Sequence, residues 1–260
     1  MTPSLQFASV QLRVRDLARS LEFYVRKAGF SLQAESPGHA TLGASPPAPA
    51  LLELVEDRTA EPAPRDSAGL FHAALLFDRR AALGGWLKAA AAHGVEFDGL
   101  SDHGVSEAVY FSDPDGNGLE FYADQPRAAW PYARGELAMV TRPLALPGLL
   151  AEAAAPTATP LEGARWGHLH LRVTDLERSD AFYRATLGLA VTQRSYPGAR
   201  FLAADGYHHH LGLNTWGHPR RPRPAAALGL LEATVALRDL PAERRLADPD
   251  GIVLRLQPAH

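Results

Sequence analysis

The stretches VQLRVRDLARSLEFYVRKAG, residues 10–29, and LHLRVTDLERSDAFYRATLG, residues 169–188, align without a gap and share 10 of 20 residues, among them Asp16/Asp175, Phe23/Phe182, Tyr24/Tyr183 and Gly29/Gly188. Such identity within one chain marks a duplication, and the whole fold has to accommodate it. Each copy opens with period-2 alternation, Val10, Leu12 and Val14 against Gln11 and Arg13 in the first, which is the pattern of a half-buried strand. An Asp placed to cap a helix follows. A stripe of Leu17, Leu21, Tyr24 and Ala28 at helical spacing comes next, and Gly29 ends it.

A second pair of matches lies downstream. GLFHAALLFD from Gly69 is similar to GLLEATVALRD from Gly229, and SDPDGNGLEFY from Ser112 is similar to ADPDGIVLRLQ from Ala247. The offset falls from 160 to 135 residues between these matches, so the last copy is 25 residues shorter, missing the counterpart of the helical AALGGWLKAAAAHG stretch. Four modules result: 5–56, 69–123, 165–215 and a degenerate 228–257. The predicted class is α+β, four βαβββ modules paired into two barrel-like domains. In chain order, residues 1–123 carry modules 1 and 2, and residues 165–260 carry modules 3 and 4. The Pro/Ala-rich connection 124–164, with a short helix expected near Leu149 to Ala155, exceeds the roughly 15 residues of an ordinary structureless loop. It is therefore expected to pack on something or to bridge two units. DPDGNG lacks the spaced acidic residues and terminal Glu of a calcium loop and reads as a hairpin turn.

Composition excludes several classes of function. With 46% hydrophobic and 21% charged residues and a net charge of −3, the chain has the balance of an ordinary globular protein, with no basic run for nucleic acid. No apolar segment approaches the roughly 18 residues of a membrane span, and MTPSLQFAS lacks the charged and apolar regions of a leader. A cytoplasmic protein without membrane or nucleic-acid partners is expected. The absence of cysteine leaves His and carboxylates as the only strong metal ligands.

The paired modules, the opening HLHLRVTDLERSDAFYRATLG and the closing YFSDPDGNGLEFY resemble the vicinal oxygen chelate superfamily of glyoxalases, fosfomycin and bleomycin resistance proteins and type I extradiol dioxygenases. GLFHAALL, DHGVSEAVYFSDPDGNGLEFYAD and GYHHHLGLNTW are similar, more closely, to two-domain catechol 2,3-dioxygenase-like proteins, and this resemblance runs along nearly the full chain. It implies a divalent metal held by a His from the first strand of one module and by a His and a Glu from the first and last strands of its partner. The matching positions are Ser9 in module 1, His72 and Glu120 in module 2, His168 in module 3, and Glu232 and Arg255 in module 4. Pairing modules in chain order completes no set. Pairing 2 with 3 assembles His72, Glu120 and His168, two imidazoles and a carboxylate, and leaves 1 with 4 without a site. Barrels pairing modules 2 with 3 and 1 with 4 are therefore expected, the 124–164 connection bridging the halves of the first.

The resemblance also implies a His near the end of the module that supplies the lone His, and a His and a Tyr upstream of the Glu. Tyr110 lies ten residues before Glu120 and His103 seventeen before it, and the run His208, His209, His210 closes module 3. Alternation separates that run: His208, His210, Gly212 and Asn214 would share one strand face, and His209, Leu211 and Leu213 the other. His210 is expected as the proton shuttle, or His209 if the strand starts one residue later. His170 shares a face with His168 and is expected at the substrate, Asn214 and Trp216 either line or brace the cavity, and His93 and His218 read as surface residues. The activity implied is extradiol cleavage of a small aromatic diol by dioxygen with Fe(II), or alternatively Mn(II) or another divalent metal. A glyoxalase-like isomerase or thiol transferase, and a non-catalytic small-molecule-binding resistance protein, are the competing readings. The resemblance leaves a homo-oligomer open.

Overall fold

The structure, a computed structural model, describes residues 4–259. Module 1 forms β1 (Leu5–Val14), α1 (Leu17–Leu21), β2 (Ser31–Ser36), β3 (His39–Gly43) and β4 (Ala50–Glu56). Module 2 forms β5 (Gly69–Phe77), α2 (Arg80–Ala92), β6 (Phe97–Asp102), β7 (Ser106–Ser112) and β8 (Gly118–Asp124). The connection contributes β9 (Tyr132–Ala133), β10 (Glu136–Leu137), β11 (Arg142–Pro143) and α3 (Leu146–Ala151). Module 3 forms β12 (Arg165–Arg172), α4 (Leu176–Leu187), β13 (Ala190–Gln193), β14 (Ala199–Ala203) and β15 (Leu211–Asn214), and module 4 keeps only β16 (Gly229–Leu237), β17 (Arg244–Ala247) and β18 (Val253–Pro258).

The duplicated openings fold alike. Asp16 and Asp175 cap their helices by accepting from the backbone N–H of Arg19 and Arg178, and α4 stops at Gly188, whose φ of 67° suits glycine. α1 continues as a π-helical turn over Glu22–Lys27 that buries both Phe23 and Tyr24. The regular α4 buries Tyr183 and leaves Phe182 half-buried.

Two curled sheets result. The nine-stranded sheet runs β11-β6-β7-β8-β5-β12-β15-β14-β13 and the seven-stranded sheet β17-β18-β16-β1-β4-β3-β2. Antiparallel β5/β12 thus joins module 2 to module 3, and antiparallel β1/β16 joins module 1 to module 4. Val10, Leu12 and Leu54 of one sheet and Leu75, Phe77, Phe121, Leu169 and Leu171 of the other belong to a single apolar core. Two buried indoles cross it: Trp166 donates to the Leu51 carbonyl at 2.6 Å and Trp86 to that of Ala28 at 2.8 Å.

Modules that share no sheet are tied through the DPDG turns. Asp113 Oδ1 accepts from the N–H groups of Asp115 and Asn117, forming the β7–β8 hairpin turn, and its Oδ2 accepts from the Tyr24 hydroxyl of module 1 at 2.9 Å. Asp248 repeats this with Asp250, Ile252 and the Tyr183 hydroxyl of module 3, also at 2.9 Å. Burial raises both carboxyls above the usual range, opposed by these same hydrogen bonds.

The connection is ordered by what it packs on. β11 adds to the edge of β6, and Gln193 clasps Met139 by accepting from its N–H and donating to its carbonyl. α3 starts earlier than the expected Leu149 because Pro147 suits a first helical turn, and its C-terminal stretch lies against Gly84 and Gly85 of α2. Among the described residues no helix is long and apolar enough to cross a membrane. Because each Tyr–Asp tie is a buried hydrogen bond to a carboxyl, Tyr24→Phe and Tyr183→Phe should each cost about 1.5–3 kcal/mol. The two ties share no partner, so urea titrations of the double variant should give the sum of the single effects.

Candidate metal centre

Strand alternation builds the centre. On β5, Ala73, Leu75 and Phe77 enter the core, so His72, Ala74 and Leu76 face the concave side of the nine-stranded sheet. On β8 the core takes Leu119 and Phe121 and leaves Glu120 and Tyr122 facing inward, and on β12 Leu169 and Leu171 turn away from His168 and His170. Register does the rest: Ala74 pairs with Glu120 on one side and His168 on the other. The small Ala74 side chain leaves the space in which the two larger side chains converge with His72.

Glu120 Oε2 lies 2.9 Å from His72 Nε2 and 3.1 Å from His168 Nε2, and all three side chains are buried. Their donor atoms fall within 4.8 Å of one another, and among the described residues this is the one such group of three or more His or carboxylate side chains. Burial opposes the charge on Glu120, but the two imidazoles prevail and hold its carboxyl well below the usual range. His168 is lowered to about 4, chiefly by burial, so its imidazole is neutral near pH 7. His72 Nε2, despite its short distance to Glu120, is not aligned for a hydrogen bond and has no other partner. Two imidazoles and an ionised carboxylate, with His72 Nε2 and His168 Nδ1 buried and unpaired, form a donor set that fits a divalent metal such as iron, manganese or zinc.

A cavity of about 250 Å³ opens from this cluster, lined by His72, Glu120, His103, Tyr110, His170, His209 and Trp216 together with Phe71, Ser101, Met139, Val140, Thr141, Tyr196 and Phe201. His103 Nδ1 lies 2.6 Å from the Val140 carbonyl, so that nitrogen carries a proton and Nε2, 2.7 Å from the Tyr110 hydroxyl, accepts the tyrosine's. Burial, then the negative charge of Glu120, pushes Tyr110 well above its ordinary value. His170 stacks edge-on against His72 at 4.9 Å and leaves a buried Nε2 without a partner. Gly212 makes room for it, since a Cβ there would stand 2.8 Å from the His170 ring.

One expectation gives way to its alternative and another is resolved. His210 does not reach the cavity: it accepts from Ala204 N–H and lines a separate hollow with Asp124, Arg127, Arg165 and Tyr207. The reason is that β15 starts only at Leu211, so strand alternation does not govern the histidine run. His209 enters instead, its ring 4.0 Å from that of His168. Asn214 lies fully buried outside the cavity, and its side-chain oxygen accepts from Trp216 N–H; it braces Trp216, which does line the cavity. His93 is exposed, and so is His218.

Sequence reasoning missed the apolar walls. Phe71 precedes a candidate ligand and Phe201 alternates on β14, but Met139, Val140 and Thr141 carry no local signal because they belong to the irregular connection, which roofs the cavity. Tyr122 could have been found: it stands two residues past Glu120 on the same strand face.

Comparisons with known proteins agree with this fold. The family model of the Glyoxalase/Bleomycin resistance protein/Dioxygenase superfamily matches residues 6–121 and 165–240. A catechol-2,3-dioxygenase of Bacillus subtilis (strain 168) is 42% identical over 233 residues, covering 87% of this chain and 81% of that protein. Among solved structures, a putative dioxygenase from Bacillus subtilis subsp. subtilis str. 168 superposes with a TM-score of 0.64 at 11% identity, covering 99% of this chain and 86% of that one. Glyoxalase I from Zea mays gives 0.60 at 18% identity, covering 98% and 92%. At these identities the two structures speak to fold alone.

Elemental analysis should find about one metal per chain, and His72→Ala, Glu120→Ala or His168→Ala should each weaken binding by orders of magnitude. The metal-free protein should also be acid-sensitive through histidines buried neutral. His168 and His210 are lowered from 6.5 to about 4, in both cases mainly by burial. Their contribution to stability is full above pH 6.5 and lost as the pH falls through about 4, since the unfolded chain binds the protons first. Urea midpoints between pH 7 and 5 should fall, with a limiting slope of about 1.4 kcal/mol per pH unit for each group.

Proposed function

The chain belongs to the glyoxalase/bleomycin resistance protein/dioxygenase superfamily, and from that premise we propose that it is a metal-dependent extradiol dioxygenase that opens the ring of an uncharged catechol. The observation that carries this reading is a buried His72–Glu120–His168 cluster beside an aromatic cavity that also presents three further histidines and two tyrosines. A divalent metal, Fe(II) by this reading, held by those three side chains would acidify the diol hydroxyls and bring diol and dioxygen together.

The remaining work falls to the chain's own side chains. Tyr110 and His103 form the proton-accepting arm: a diol proton arriving at the Tyr110 oxygen is matched by transfer of the tyrosine's own proton to His103 Nε2. His209 stands on the opposite wall, beside His168, where its ring can hold a proton and return it as the ring opens. The unpaired Nε2 of His170 is a hydrogen-bonding position for a substrate oxygen. Phe71, Phe201, Trp216 and Met139 enclose an aromatic ring and displace water. Among the described residues no Lys or Arg lines the cavity, so a ring carboxylate would be buried without a partner.

Iron-loaded protein should consume oxygen with catechol and yield the ring-opened semialdehyde, and carboxylated catechols should be poorer in kcat/KM by about a hundredfold, reflecting the unpaired charge. His209→Ala should lower kcat by about a hundredfold or more with its metal retained. Isomerisation of a hemithioacetal without oxygen uptake would overturn the proposal.

A further inference from the structure

His209 can serve either as a proton acceptor or as a proton donor at the cavity, depending on which ring nitrogen carries its hydrogen. The neighbouring side chains decide this. Asp124 Oδ1 lies 2.9 Å from His208 Nε2 and 3.1 Å from the Tyr207 hydroxyl. A carboxylate only accepts, so His208 carries its proton on Nε2 and Tyr207 donates as well. A neutral His208 then has its lone pair on Nδ1. That nitrogen lies 2.7 Å from His209 Nδ1, and a contact that short between two ring nitrogens needs one proton between them. With His208 neutral, that proton comes from His209 Nδ1. The Nε2 of His209 is then bare, and among the described residues it has no hydrogen-bond partner, while its ring lines the cavity.

We infer that Asp124 and His208 are positioning residues: through an Asp124–His208–His209 chain of hydrogen bonds they fix the His209 tautomer so that an unprotonated Nε2 faces the substrate. The chain is itself held in place. Thr192 donates to the His208 carbonyl at 2.7 Å, and Tyr207, which donates to Asp124, accepts from the Tyr122 hydroxyl at 2.8 Å. Tyr122 fits only because residue 167 is glycine, since a Cβ there would collide with its hydroxyl. Asp124 lies outside the cavity that His209 lines and borders the separate hollow behind it, so its side chain need not touch the substrate. This explains why three histidines stand in a row: His209 faces the reaction, His208 orients it from behind, and His210 closes the hollow on the far side.

This role rests on the ring-cleaving reading only for its effect on rate; the tautomer can be read directly. Long-range ¹H–¹⁵N spectra of protein with ¹⁵N-labelled histidine, recorded metal-free and again with Zn(II) as a diamagnetic ion, should show His209 protonated at Nδ1 and His208 at Nε2. Asp124→Ala should move the His209 proton to Nε2 and lower kcat for catechol cleavage by about 10- to 100-fold, with KM and iron content little changed. A His209 protonated at Nε2 in the unaltered protein, or a tautomer indifferent to Asp124→Ala, would overturn the inference. The expected tautomers in a protein that cleaves no catechol would overturn the proposed reaction and leave the relay standing.

Discussion

The antiparallel pairing of β5 with β12 is the contact on which the site depends. It is the strand pairing that joins the two modules that supply the cluster, and its register sets Ala74 opposite His168 and His72 opposite His170. A slip of one residue would turn every side chain of one strand to the opposite face and bury imidazoles in an apolar core. The sheet cannot slip cheaply, because Leu75 and Phe77 on one strand and Leu169 and Leu171 on the other are already committed to that core. Packing on the convex face thereby fixes the chemistry on the concave face.

The same pairing explains the ties elsewhere. With modules 2 and 3 sharing a sheet, modules 1 and 2 meet through the common core, and the Tyr24–Asp113 bond, Arg15 N–H to Asp115 and the Arg19–Asp115 ion pair add polar ties between them. Tyr183, Thr174 and Arg178 do the same for modules 3 and 4 through Asp248 and Asp250. The repeated DPDG turns are structural devices, and their carboxylates are occupied by backbone N–H groups, tyrosines, arginines and Thr174.

Much of this was legible because it follows from period and repetition. The duplicated strand and helix openings locate the modules, and alternation places His72, Glu120 and His168 on inward faces without reference to any neighbour. What failed was local extrapolation. The histidine run was read as strand, whereas residues 208–210 form the approach to β15, with Leu169 N–H donating to the His210 carbonyl and His210 N–H to that of Leu202. In such a segment side-chain direction is set by the hydrogen bonds each residue finds, and those depend on Asp124, remote in sequence. The roof of the cavity was invisible for a related reason. Met139 is held by Gln193, a contact between an irregular segment and a strand that no periodicity encodes.

The contrast between the two sheets shows what the duplication released. In the seven-stranded sheet, Glu232 pairs with Arg245, Arg255 with Glu243, and Gln11 donates to Glu53. These side chains occupy positions that correspond to the metal cluster and its surroundings, yet they satisfy one another and leave no converging set of donors among the described residues. The shortened module 4 lacks the helix and one strand that the others keep, along with the counterpart of His103, and Arg245, paired with Arg255 as Tyr110 is with Glu120, stands at the Tyr110 position. A half that holds no metal needs only to remain folded and to hold its DPDG turn against Tyr183. Ion pairs on a half-exposed concave face meet that demand, because partly solvated charges cost little where no ligand has to be gripped. The complementary half carries the opposite requirement, buried donors left deliberately unpaired at His72 and His170, and the dense apolar packing behind them is what makes that cost bearable.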